Sequence, residues 1–213
     1  MTETSTHIGL PAPRGAGSIA LARLAAVLVC VIGEIVLALW LDIIPGLEQA
    51  LPGLAGMTPN VVLGVIVAGL GLLCFTFRRL RLLARLVGLV LVAGGLVVLG
   101  QGTLGIDLGL DQNLLPADVV PPDAAGQSAH ETPGVTVSLI LFGLALVFAK
   151  RGKLLSGFSQ IVALLMLAQV LIVLAGYAYG VASDYSAFPF TSMSVYGALS
   201  VFLLATGLLA ASP

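Results

Sequence analysis

Six apolar stretches, each close to twenty residues long and almost free of charge, leave this chain few folds to choose from. A bilayer's hydrocarbon core is about 30 Å thick and a helix rises about 1.5 Å per residue, so about 20 apolar residues make one crossing. The stretches cover residues 18–41, 58–77, 86–104, 133–149, 158–180 and 193–211, each bounded by charges, prolines or glycine clusters. Only 9% of the 213 residues are charged, against about a quarter in soluble domains, so a water-facing surface of ordinary polarity cannot be built. The sequence predicts an all-α integral membrane protein of about six transmembrane helices. They form three tandem helical hairpins, about 18–77, 86–149 and 158–211, behind a cytoplasmic tail of residues 1–17.

The basic residues set the expected orientation, because Lys and Arg are retained on the cytoplasmic side. Arg14 and Arg23 precede or open the first helix, Arg78, Arg79, Arg81 and Arg85 lie between the second and third, and Lys150, Arg151 and Lys153 lie between the fourth and fifth. All 9 fall on one side, with the N-terminus. The other side carries Asp42, Glu48, Asp107, Asp111, Asp118, Asp123, Glu131 and Asp184 and no basic residue. Both termini are expected to be cytoplasmic, in a bacterial inner membrane. The two basic clusters are expected to meet anionic lipid headgroups, each residue contributing about 1 kcal/mol. The tail is polar and Pro/Gly-rich, and the first helix, about 24 residues long, has no convincing small-residue cleavage site, so it is expected to remain as an uncleaved anchor.

The hairpins repeat one another. Leu21-Ala22-Arg23-Leu24 opens the first and Leu83-Ala84-Arg85-Leu86 the second. The returning helices begin Thr58-Pro59-Asn60 and Thr132-Pro133-Gly134 and reach Gly69 and Gly143 at equal spacing, with Ser194 and Ala205 in the matching places of the third. Thr or Ser at a helix N-cap can satisfy an orphan N–H, and Pro at the next position has none to lose. The units share one direction, unlike the inverted repeats of transporters.

These residues resemble a known family. Trp40-Leu41-Asp42-Ile43, Leu51-Pro52-Gly53 and Met57-Thr58-Pro59-Asn60 look like the first outer loop of the multi-helix membrane region that precedes PAS and kinase domains in bacterial sensor histidine kinases, and cyclase domains in some relatives. Gly105-Ile106-Asp107-Leu108-Gly109-Leu110-Asp111-Gln112 is similar to its second outer loop, and Leu174-Ala175-Gly176-Tyr177 with Tyr179-Gly180-Val181 to its fifth helix end. The resemblance runs from about residue 20 to the C-terminus. It implies a non-catalytic input or anchoring module. The pattern departs at Gly134, where the family has Asn, and at Ser192 and Tyr196, where it has Pro and His. An accessory subunit packed against a larger membrane complex, energy-transducing or otherwise, is the alternative.

Little in the chain carries chemistry. His7 and His130 cannot form the buried imidazole pair of a membrane haem, and no phosphate loop, nucleophile elbow, zinc spacing or nucleic-acid pattern is present. No enzyme activity, cofactor, metal site or nucleic-acid partner is expected; the expected partners are lipids and a protein partner or second copy. The Asp-rich outer loop lacks EF-hand spacing and is read as a solvated amphipathic segment. Cys30 and Cys74 are read as helix-packing thiols.

Glu34 lies well inside the first span. A charged side chain at mid-helix costs about 2.5–3.5 kcal/mol on insertion scales, so the carboxyl is expected to face the bundle and to hydrogen-bond Gln169, Tyr177 or Asn60. These four are the candidate structural or signal-sensing residues. Trp40, Asp42, Asp107 and Asp111 are the candidate partner contacts, beside a short interfacial helix expected after Trp40. The glycines of the third span, Gly88, Gly94, Gly95, Gly100 and Gly102, are expected to admit close helix approach.

Overall fold

A computed structural model describes residues 16–41, 43, 57–104, 133–148, 153–179 and 193–211. Within them all regular structure is helical: α1 (Ala16–Trp40), α2 (Pro59–Thr76), a 3-10 turn at Arg78–Leu80, α3 (Arg81–Leu104), α4 (Pro133–Phe148), α5 (Lys153–Ala178) and α6 (Val195–Ala211). Four of them, α1, α2, α3 and α5, are long and apolar enough to cross a membrane. α4 and α6 have 16 and 17 residues, or about 24–26 Å of helix, somewhat less than the hydrocarbon thickness.

The helix starts follow local chemistry. α2 and α4 begin at Pro59 and Pro133, where the missing N–H costs nothing. The expected hydroxyl cap forms at Ser194, whose Oγ accepts from the Gly197 N–H at 3.1 Å. It does not form at Thr58, whose hydroxyl makes no cap although its carbonyl accepts from Val62 N–H. α3 and α5 start at Arg81 and Lys153, several residues before the apolar stretches expected at 86 and 158, because backbone hydrogen bonding carries a helix past the end of its apolar run.

The helices pack in two tiers. α2, α4 and α6 touch one another, and each outer helix lies in a groove between two of them: α1 between α6 and α2, α3 between α2 and α4, α5 between α4 and α6. Leu72 of α2, Phe142 and Leu146 of α4, Met166 of α5, and Leu204 and Leu208 of α6 are fully buried and fill the interior. Such burial of apolar atoms, together with close packing, is what holds helices together where lipid tails are as apolar as the side chains.

Contacts recur around the ring at matching positions. A Cβ added to Gly33 of α1 would lie 2.5 Å from Ile66 Cγ1 of α2, and one added to Gly95 of α3 would lie 2.5 Å from Ile140 Cγ1 of α4. Gly69 packs on Ala26, Val29 and Cys30 as Gly143 packs on Gly88, Leu91 and Val92. Gly71 meets Val87 and Leu146 as Gly207 meets Ala25 and Leu72. The buried positions of α5, Ser159, Val162, Ala163, Met166, Val170 and Val173, keep the spacing of Ala22, Ala25, Ala26, Val29, Gly33 and Val36 in α1. In each of the pairs α1/α2 and α3/α4 the contact positions rise along one helix and fall along the other, so the paired helices are antiparallel.

Candidate functional site

The candidate residues sit at three levels of the bundle. At the end where α1 begins, Arg23 Nε donates to Thr76 Oγ1 at 3.3 Å, and its guanidinium lies 4.5 Å from the centroid of the Phe77 ring. A guanidinium over an aromatic face is attracted by the ring quadrupole. Sequence reasoning had not singled out Arg23 for this role. Arg78 and Arg79 project from the adjoining 3-10 turn and are exposed, which suits headgroup contact. Arg81 and Arg85 are half-buried on α3, and Arg81 Nε is buried without a hydrogen bond among the described residues. Lys153 opens α5, while Lys150 and Arg151 lie outside the described residues.

At mid-bundle Glu34, expected to hydrogen-bond Gln169, Tyr177 or Asn60, is exposed on α1. Gly33 turns inward against Ile66, so Glu34, one residue on, falls on the outer surface of α1 with Val31 and Ile35. Gln169 is committed elsewhere. Its Oε1 accepts from Ser138 Oγ at 3.3 Å and its Nε2 donates to the Gly134 carbonyl at 3.3 Å, while Ser138 Oγ also lies 2.8 Å from that carbonyl. This polar triangle joins α5 to α4 across an apolar interior, and Ser138 was missed because a single serine in an apolar run gives no signal. Cys30 approaches the Ile66 carbonyl at 3.9 Å and packs beside Gly69.

At the far end two long side chains fasten the returns. Trp40 Nε1 donates to the Met57 carbonyl at 2.9 Å, and Tyr177 Oη donates to the Met193 carbonyl at 2.7 Å. Each ties the end of one helix to the start of the next, α1 to α2 and α5 to α6. Trp40, a candidate partner contact, is half-buried and makes this fastening. Asn60 stands half-buried in the first turn of α2. Asp42, Asp107 and Asp111 lie outside the described residues, as does most of the interfacial helix expected after Trp40. No group of three His, Cys, Asp or Glu side chains suited to a metal ion occurs among the described residues.

No protein-family model, curated protein or solved structure matches the chain. The class its fold defines is accordingly a coarse one: an all-helical chain with several helices fit to cross a membrane.

Proposed function

We propose that the chain is the membrane-embedded sensory or anchoring module of a bacterial signalling protein, its helices forming six spans as three tandem hairpins with both termini in the cytoplasm. The observation that carries this reading is the filled interior. Among the described residues, apolar side chains from the inner helices occupy the axis of the bundle, as suits a rigid platform that holds or reports, and leave no polar path for a transported solute. The resemblance of the outer-loop sequences to sensor-kinase membrane regions supports it, as does the one-sided placement of Lys and Arg.

Two measurements test it. Detection of the native gene product in its own membrane should reveal a longer polypeptide carrying a cytoplasmic output domain; a product of this length without one contradicts the reading. Cysteine placed at Asp118 should react with an impermeant reagent from outside, and cysteine placed at Arg79 should not; the reverse pattern ends the proposed orientation.

A second reading, an accessory subunit of a larger membrane complex, is favoured by Glu34. A carboxyl on the outside of a spanning helix is costly unless a neighbour meets it. On that reading Glu34→Leu reduces the mass of the native assembly, and an unchanged mass counts against it.

A further inference from the structure

The three grooves that hold the outer helices are built alike but are not closed alike. In the groove of α3 lies a cleft of about 440 Å³, walled by Asn60, Leu63 and Gly64 of α2 on one side and by Gly94, Val97 and Val98 of α3 on the other. Two devices that shut the other grooves are missing here.

The first is a side chain in the middle of the groove. The position equivalent to Gly94 in α1 is that of Ile32, since Gly33 and Gly95 make the same contact with Ile66 and Ile140. In α5 it is Gln169, since Val170 holds the buried place of Gly33 and Gly95. On the facing wall, the positions that match Gly64 of α2 are Ser138 of α4 and Ser200 of α6. The groove of α3 thus has glycine on both walls, and a Cβ built on Gly94 meets nothing within 4 Å.

The second device is the fastener at the far end. Trp40 and Tyr177 hold equivalent places in α1 and α5 and bond the Met57 and Met193 carbonyls, which are equivalent in turn. In α3 that place falls to Gly102, which has no side chain to reach with.

At its other end α3 is pinned on both sides. A Cβ on Gly71 would lie 2.8 Å from Val87 Cγ1, so α2 and α3 touch there, and one on Gly88 would lie 2.7 Å from the Gly143 carbonyl oxygen of α4. Further along, Gly95 meets α4 through Cγ1 and Cδ1 of Ile140, side-chain atoms that can change rotamer and follow a moving helix. A helix pinned at one end, without the fastener at the other and bordered by a cleft, has room to lean. Two glycines facing each other across that cleft make the leaning position a packed one, because small residues let helices approach closely.

We propose that α3 has two positions in the membrane: the open one described above, and a closed one in which its far half leans across the cleft until Gly94 packs on Gly64, turning about the contacts of Val87 and Gly88. A ligand or partner that favours either position would shift the balance between them. The inference concerns the motion of one helix and does not rest on the signalling reading above.

The repeat supplies matched sites for spin labels. Ile35, Val97 and Ile172 are equivalent and exposed toward the far ends of α1, α3 and α5, and Leu24, Leu86 and Ile161 are equivalent and exposed toward the other ends. With Cys30 and Cys74 replaced by serine and labelled cysteines placed in pairs, distances are read by double electron–electron resonance on the full chain in lipid nanodiscs. The 35/97 pair should show two distances, the shorter from the closed position, while the 35/172 and 24/86 pairs should each show one. Gly94→Ile, which puts into the cleft the side chain that α1 carries, should abolish the shorter 35/97 distance, with thermal unfolding to confirm that the variant is folded. A single 35/97 distance as narrow as that of 35/172 overturns the proposal whatever the variant does. So does a shorter distance that persists in folded Gly94→Ile, and two distances at 24/86 would overturn the pivot.

Discussion

The groove of α5 and the groove of α3 are the same construction sealed in one case and open in the other. In the first, Gln169 crosses to α4 and shares hydrogen bonds with Ser138 and the Gly134 carbonyl. In the second, a Cβ added to Gly94 would meet nothing within 4 Å, although about two turns earlier the same helix α3 is held tightly against α4. There a Cβ on Gly143 would lie 2.6 Å from the Gly88 carbonyl oxygen, and one on Gly88 would lie 2.7 Å from that of Gly143. A repeat therefore fixes the path of the helices, while one residue per groove decides whether the path encloses a space. Close approach at Gly88 and Gly95 and openness at Gly94 occur within one helix.

Breaking the tight crossing should have the largest effect. Gly143→Ala drives a methyl into a backbone oxygen that cannot swing aside, so α3 and α4 must part. The expected loss is about 3 kcal/mol, at the upper end of the usual overpacking cost, read as a lower midpoint in denaturant titration of the detergent-solubilised protein. A midpoint within error of the parent would show that the crossing is looser than described. Opening the sealed groove comes next. Gln169→Gly removes the seal and adds a helix-interior glycine, so stability should fall by about 2 kcal/mol from the cavity and backbone terms together. If it does not fall, the polar triangle contributes nothing and the contrast between the grooves has no energetic content. The smallest change has the opposite sign: Gly94→Ala adds a methyl to open space and removes a glycine from a helix, and should raise stability by about 0.5–1 kcal/mol. Destabilisation there would mean that the space is already occupied by protein.

Much of the architecture is legible in the sequence, because it is written in repeats and helix starts. The Leu-Ala-Arg-Leu and Thr-Pro signatures align α1 with α3 and α2 with α4, and the glycine contacts of the fold fall on that alignment. What the sequence does not disclose is which way each side chain turns. The helices are apolar nearly all round, so no polar stripe marks an outer face. The cost of a charge in lipid argues for Glu34 facing inward, whereas Gly33 packing against Ile66 puts Glu34 on the outer surface of α1. Gln169 and Tyr177 are polar groups of the right kind, but their partners are Ser138 and main-chain carbonyls, which no residue-type pattern singles out.

The central claim is that the six helices close into a ring in which α6 holds α1 as α2 holds α3. It is tested most directly by cross-linking the first helix to the last. A Cβ on Gly207 would lie 3.1 Å from Ala25 Cβ, and one on Gly71 would lie 3.6 Å from Val87 Cβ, close to the spacing of about 3.5–4.5 Å that a disulfide spans. With Cys30 and Cys74 replaced by serine, the double variants Ala25→Cys/Gly207→Cys and Gly71→Cys/Val87→Cys should both oxidise in membranes to intramolecular disulfides, seen as a reductant-sensitive mobility shift. If the Gly71/Val87 pair cross-links and the Ala25/Gly207 pair does not, the ring is open and the equivalence of the three grooves fails with it.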